Sequence, residues 1–479
     1  MQKTISLGIG LSIAMIHAAA ASTFHVATTG DDSAAGTDAA PWRTIQHAAD
    51  SVAPGDTVMI HAGTYTGFLV QTKATQTAPI AFVGSGAVNI DGAATADQDA
   101  VHVDGASWIT ISGLAISNAT RSGVSALDCD HITVSGNHID NNGKWGVFSG
   151  FCEDLVVENN EISNSATQHG IYASNSADNP VIRGNVVTGN AQCGIQINAD
   201  ISQGGDGIIT GAIVENNVIR NNGRLGGSGI NFDGVVGALI RNNVLDGNHA
   251  SGISLYQEDG GAPSTGNQVI NNTIRMASDA RWALNIANDS SGNVARNNIL
   301  LDPSPNSGAI EVCATCLSGM LSDHNAVVGR FAIDGAVVDL PTWHAQTGND
   351  AASMVAADAD LFTDPSTGDL TLRAGSPAID HGDPQGAPAV DILGTTRPQG
   401  AGFDIGAYEY CDGPCAAAGS ATGSDGGTAP GTGSGSSVGP DPGGSSGGGC
   451  NASGSAAGLP LLGLALLLLR RRARVTLGA

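Results

Sequence analysis

The chain has 479 residues, 68 of them glycine, and only 13% are charged. Its 44 acidic against 19 basic residues give a net charge of −25. That balance argues against a nucleic-acid partner, because phosphate binding needs a basic surface. It also means that a polyanionic ligand would need bridging Ca2+ or a local basic groove.

The first 21 residues read as an export signal. Lys3 supplies a positive start, Ile5–Ile16 an apolar run and Ala18–Ala21 a small-residue cleavage site. The apolar run is short for a bilayer span. The mature chain is therefore expected outside the cytoplasm, secreted or on the cell surface, where thiols oxidise. Removing Lys3 with the signal, and the arginines at 470, 471, 472 and 474 with the tail, leaves 14 basic residues against 44 acidic ones.

Residues 22–55 form an entry segment. Within it His47-Ala48-Ala49-Asp50-Ser51-Val52 is the best short-helix candidate, placed to cap the open end of whatever follows. From about 56 to 335 the sequence repeats. Seven pairs recur: Gly136-Asn137, Asn159-Asn160, Gly184-Asn185, Asn216-Asn217, Asn242-Asn243, Asn271-Asn272 and Asn297-Asn298. Each leads into an aliphatic residue: Ile139, Ile162, Val187, Ile219, Leu245, Ile274 or Leu300. Successive repeats are 23, 25, 32, 26, 29 and 26 residues apart. A second motif, Gly then aliphatic, runs in phase at Gly123, Gly146, Gly170, Gly194, Gly229 and Gly252. Such a period, with three- or four-residue β-branched runs and no helical pattern, predicts a stacked all-β solenoid: a parallel β-helix of about ten coils over residues 22–335 with its cap. Asn and Gly tolerate the left-handed backbone of tight corners, and stacked Asn side chains can bond from coil to coil.

Residues 336–415 suggest a small C-terminal β-rich module. From 416 to 449 the chain is a Gly/Ser/Thr/Pro linker of disordered type. Residues 450–479 contain Cys450, an apolar run Leu459–Leu469 and the arginine cluster.

Three resemblances follow from these residues. Pro54-Gly55-Asp56, Gly63-Thr64-Tyr65, Pro79-Ile80, Ile90-Asp91-Gly92 and Ile109-Thr110-Ile111-Ser112-Gly113-Leu114 resemble the N-terminal part of the chondroitinase B and alginate lyase family. With the repeats, the chain resembles the wider pectate-lyase-like right-handed β-helix superfamily. Its last 30 residues resemble a myxobacterial-type C-terminal sorting tail. The first two imply a surface that acts on or binds polysaccharide, either as a polyuronide or glycosaminoglycan lyase or as a non-catalytic adhesin. The third implies processing at Cys450 by a sorting protease, with a membrane anchor as the alternative. The chain is expected to be a monomer.

Eight cysteines in an exported chain read first as disulfides. Cys129 and Cys152 occupy one position in successive coils, and the spacing of neighbouring strands fits a disulfide. Cys313/Cys316 and Cys411/Cys415 suggest local loops, with zinc the alternative at the first. Cys193 is left over.

Aligning coils on the second motif gathers Arg121, Lys144, Gln168 and Gln192 in one file. Trp145 and His169 fall in the next, and Tyr172 and Gln196 two positions beyond the glycine. Rings to stack on, amides for hydroxyls and cations for carboxylates make a sugar groove. For β-elimination, Lys144 is the candidate base, with Arg121 lowering its pKa or neutralising a uronate and His169 assisting. Trp145, Tyr172, Gln168, Gln192 and Gln196 would hold the substrate. Each also has a plain reading: Lys144 as a turn lysine, His169 as a buried hydrogen-bonded ring. Asp130, Glu153 and Glu158 fall at corners of adjacent coils and are either Ca2+ ligands or solvated turn acids.

Overall fold

The computed structural model describes residues 21–416. Residues 1–20 of the expected export signal, the expected linker beyond Ala416 and the tail with Cys450 lie outside the described residues.

Each coil contributes one short strand to each of three faces. One coil runs Ser122–Leu127, Asp130–Ser135, His138–Asp140; the next runs Trp145–Gly150, Val156–Glu158, Glu161–Ser163. Strands stack in parallel on their equivalents one coil away, Val147 on Val124 and Ile171, Val157 on Val134 and Ile182. We call the sheets through 122–127, 130–135 and 138–140 the first, second and third faces. The first face is a 12-stranded sheet whose last strand, Ala336–Val338, returns antiparallel, so the solenoid has a turn or two more than the asparagine pairs alone mark.

The repeats have separate physical reasons. The first residue of each pair turns the corner with positive φ: Asn159 at 54°, Asn216 at 57°, Asn242 at 53°, and glycine instead at Gly136 and Gly184. The second residue points inward and is buried. Asn217 accepts the Asn185 backbone N–H at 2.9 Å and donates from Nδ2 to Ile182 O and Asn243 Oδ1. This pattern runs unbroken from Asn137 to Asn325. The aliphatic residue that follows enters the core: Ile139, Ile162, Val187, Ile219 and Leu245 are fully buried and in register. The glycine of the second motif has another cause. A Cβ on Gly146, Gly170 or Gly194 would collide with Ile162, Val187 or Ile219 of that column.

Both ends of the stack are covered. Helix Ile45–Ser51, capped by the Thr44 hydroxyl, buries Ile45, Ala48 and Ala49 over the first coil. It begins two residues before the expected segment. At the other end Trp343, fully buried in helix Leu340–Thr347, stacks on Phe331 at 5.0 Å and donates to Asp350. Parallel pairing continues past 335, with Met354–Val355 on Ala326–Val327. Residues beyond fold back along the side, where Phe362, Leu370 and Ile405 share a cluster with Val244, Ile299 and Leu301. Corner asparagines fasten this module: Asn242 to Val390 O, Asn271 to Asp404 O and Gly406 O, Asn297 to Asp383 O.

Disulfides join Cys129–Cys152, Cys313–Cys316 and Cys411–Cys415. The second pairing consumes the two thiols that the zinc alternative required. Cys193 is buried, with Sγ 3.2 Å from Gln196 Oε1.

Candidate functional site

On the first face, alternate residues fill the core: Val147, Ile171, Ile195 and Ile197, Ile230 and Phe232, Ile253 and Leu255. The residues between them form an outer column in register, Ser125, Phe148, Tyr172, Gln196, Asn231, Ser254, Asn285 and Glu311. This is the file that the glycine motif predicts.

The column changes character along the axis. Around coils 145–172 it is aromatic: Trp145 stacks on Phe148 at 4.4 Å, with Tyr172 5.5 Å from Phe148 and 6.0 Å from Trp145. Lys144 places Nζ 5.3 Å from the Trp145 ring centre, a cation–π distance. Tyr172, Lys144, Gln168 and Gln192 are half-buried, whereas Trp145, Phe148 and Gln196 are buried. Further along, the column is polar and bonded to itself. Asn231 Nδ2 donates to Gln196 Oε1 and to the Tyr256 hydroxyl, both at 2.7 Å. Ser228 and Ser254 hydroxyls meet at 2.8 Å. Gln196 is thus part of a rigid floor, while the half-exposed Gln168 and Gln192 stand at the rim.

Arg121 and Lys144 are neighbours on adjacent coils, but the Arg121 side chain is already engaged. Arg121 donates Nε to Asp99 Oδ1 at 2.9 Å and pairs through Nη2 with Asp99 Oδ2. Asp99 is buried, and this bonding raises the Arg121 pKa further. The guanidinium is therefore committed to the fold. Lys144 meets Arg121 through the backbone, its N–H bonding Arg121 O at 2.8 Å, and among the described residues no carboxylate lies in ion-pair range of its amine. His169 follows its plain reading. It is buried, its Nδ1 accepts the Cys193 N–H at 3.1 Å, and burial lowers its pKa to about 3. A ring so reluctant to take a proton is a poor base near neutrality.

The expected Ca2+ ligands are not gathered either. Glu158 is held by Arg183 at 2.7 Å. Glu153 accepts the Asp178 N–H at 2.8 Å, and burial raises its pKa. Asp130 bonds the neighbouring His131 at 3.0 Å. Asp130 and Glu153 are joined by an isolated backbone bridge between adjacent coils, but Glu158 lies five residues along the coil from Glu153. Among the described residues these three carboxylates do not gather into one calcium shell.

The sequence reading missed an acidic turn beside the aromatic rings. Asp233, in the outer file of the first face, accepts the N–H groups of Glu258, Asp259 and Gly260 at 2.8, 2.8 and 3.0 Å. Burial raises the pKa of Asp233, Glu258 and Asp259, and the charge of Asp200 adds to the rise at Asp259. Asn198 Nδ2 lies 3.4 Å from both the Asp259 carboxylate and the Tyr172 hydroxyl, so turn and shelf adjoin. The only signal in sequence is the run Gln257-Glu258-Asp259-Gly260-Gly261, which looks like any polar loop.

Comparisons with known proteins agree on architecture. Residues 99–274 match a family model described as a right handed beta helix region. No curated protein matches the sequence. Among solved structures, the chain is similar to pectate lyase Pel9A, with 18% identity and a TM-score of 0.60, over 81% of this chain and 96% of that one. It is also similar to XylC in complex with xylose, with 13% identity and a TM-score of 0.50, over 80% and 98%. An alginate lyase from Paenibacillus sp. str. FPU-7 matches with 22% identity over 60% and 97%, at a TM-score of 0.48. At these identities the likeness is one of fold: the chain is a right-handed parallel β-helix.

Proposed function

We propose that this protein binds a polysaccharide along the outer surface of the first face, with sugar rings seated at the aromatic shelf. The observation that carries this reading is the contiguity of Trp145, Phe148 and Tyr172 on neighbouring coils, flanked by the half-exposed Lys144, Gln168 and Gln192. Aromatic faces stack on sugar C–H surfaces, amides bond hydroxyls, and a rigid floor lowers the entropic cost of binding. Relatives in fold whose names specify lyase or carbohydrate-complex proteins support a glycan partner. Export, surface attachment, cleavage at Cys450 and a monomeric state complete the proposal and rest on the sequence alone.

Binding without turnover is the reading the geometry favours, because Arg121 is tied to Asp99 and His169 stays neutral. A second reading, β-elimination with Lys144 as base, draws on one observation: the Lys144 amine has no carboxylate partner among the described residues and could meet a uronate. One experiment separates the two. The full chain is offered neutral glycans and polyuronides, with Ca2+ and with chelator, recording both affinity and absorbance of the unsaturated product. The expected result is binding with no product. Product formation that Lys144→Ala lowers about 10²–10⁴-fold while binding persists would establish the lyase instead. Failure of every polymer to bind would remove both readings.

A further inference from the structure

Among the described residues, two groups of His and Asp place three ligand atoms within 4.8 Å of one another. In one of them, Asp97–Asp99–His102, the charge is already answered: Arg121 pairs with Asp99, and His102 Nδ1 bonds Asp97 at 2.9 Å. The other, His25–Asp38–His61, contains no Arg or Lys. His25 Nδ1 lies 3.0 Å from His61 Nε2, and Asp38 Oδ1 lies 3.6 Å and 3.5 Å from those same two atoms.

We propose that His25, Asp38 and His61 form a binding site for a divalent transition-metal ion of the zinc class at the N-terminal end of the solenoid. A point equidistant from the three atoms lies about 2.0 Å from each, which is the bond length of zinc to imidazole nitrogen and carboxylate oxygen. Two imidazoles and one carboxylate are a donor set for zinc, copper or nickel, whereas Ca2+ and Mg2+ prefer oxygen alone. Asp38 is exposed and the two histidines are part-exposed, so an ion can enter from solvent and water can complete a tetrahedron.

The ligands stand on backbone that is already fixed. His25 is in strand Thr23–Val26, which pairs in parallel with Thr57–Ile60 and brings His25 beside Met59; His61 follows at the end of that pairing. The backbone of His25 is tied on both sides, its N–H to Gly36 O at 2.8 Å and its carbonyl to the Trp42 N–H at 2.9 Å. The Tyr65 hydroxyl donates to His61 O at 2.8 Å. Asp38 sits in the tight turn bridged by Thr37 and Ala40. One ion would therefore join three segments: the entry strand, the loop that follows it and the first coil. Its place is the end of the stack, where the core most needs a clamp. The imidazole pair could instead share a simple N–H···N hydrogen bond, and the experiment must separate these outcomes.

The full chain, stripped with chelator, is titrated with Zn2+ alone and with Co2+ alone, the latter read by the visible absorption of tetrahedral cobalt. The expected result is one ion per chain and a higher melting temperature on loading. His25→Ala and His61→Ala should each weaken binding at least about tenfold, since even outer partners of metal ligands cost that much. His138→Ala, which removes a surface histidine paired with Glu161, should not. Asp38→Asn is the second arm. It changes an exposed turn residue without touching either strand, and should also weaken binding if a strand variant folds poorly. Absence of a stoichiometric ion, or binding indifferent to His61→Ala and Asp38→Asn, would overturn the site and leave a hydrogen-bonded histidine pair.

Discussion

Individual residues in this fold act through what they keep satisfied in the interior. Asn243 is fully buried, accepts the backbone and side-chain N–H groups of Asn217 at 3.0 Å each, and donates to Val214 O and Asn272 Oδ1. Asn243→Ala strands several of these partners at once, and an unsatisfied buried group costs about 1–3 kcal/mol. We expect a loss of roughly 3 kcal/mol or more, read from the urea midpoint; a loss near zero would mean that the ladder is not a stability element. His169 provides a pH test. Its folded pKa of about 3 lies below the ordinary 6.5, so on acidification the unfolded chain takes up the proton first. The stabilisation is complete above about pH 6.5 and is lost as pH falls towards 3, at up to about 1.4 kcal/mol per pH unit. Urea midpoints at pH 7.5 and 5.0 should diverge less in His169→Gln than in the parent. Equal divergence would assign the acid sensitivity elsewhere.

At the level of elements, much of the fold was legible because the corner and core residues obey local rules. The left-handed corner needs Asn or Gly, the ladder needs Asn, and the column behind it needs an aliphatic. Each requirement recurs once per coil, so the sequence displays the period. The Cys129–Cys152 bond was readable for the same reason, and bonds closing loops of that size stabilise by roughly 3 kcal/mol. The site was less legible. Register was predictable, so Lys144, Trp145 and Tyr172 were correctly placed on one face. Burial and pairing were not. Asp99 lies 22 residues from Arg121, outside any local motif, and its bond to Arg121 decides whether the guanidinium can meet a ligand. The turn 257–261 joins the shelf only because Asp233 gathers its N–H groups. His25, Asp38 and His61 come together only once the entry strand pairs with the first coil.

For the whole molecule, the solenoid sets up one continuous outer surface while its ends and one side are occupied. The helix Ile45–Ser51 and Trp343 cover the two ends, and the C-terminal module docks on corner asparagines Asn242, Asn271 and Asn297. The first face runs between these, aromatic at one stretch and amide- and acid-rich at the next. An acidic chain with a committed Arg121 suits a glycan held by stacking and hydroxyl contacts better than one held by its own charges. The most direct test compares the polysaccharide affinity of the parent with that of Tyr172→Ala, which removes the half-exposed ring of the shelf and leaves the ladder intact. Loss of that stacking, about 1 kcal/mol, predicts affinity weakened severalfold to about tenfold in the variant, measured at a temperature where both chains remain folded, since removing the packed ring also lowers the melting temperature. A glycan that binds parent and variant equally well would contradict the placement of the sugar on this face.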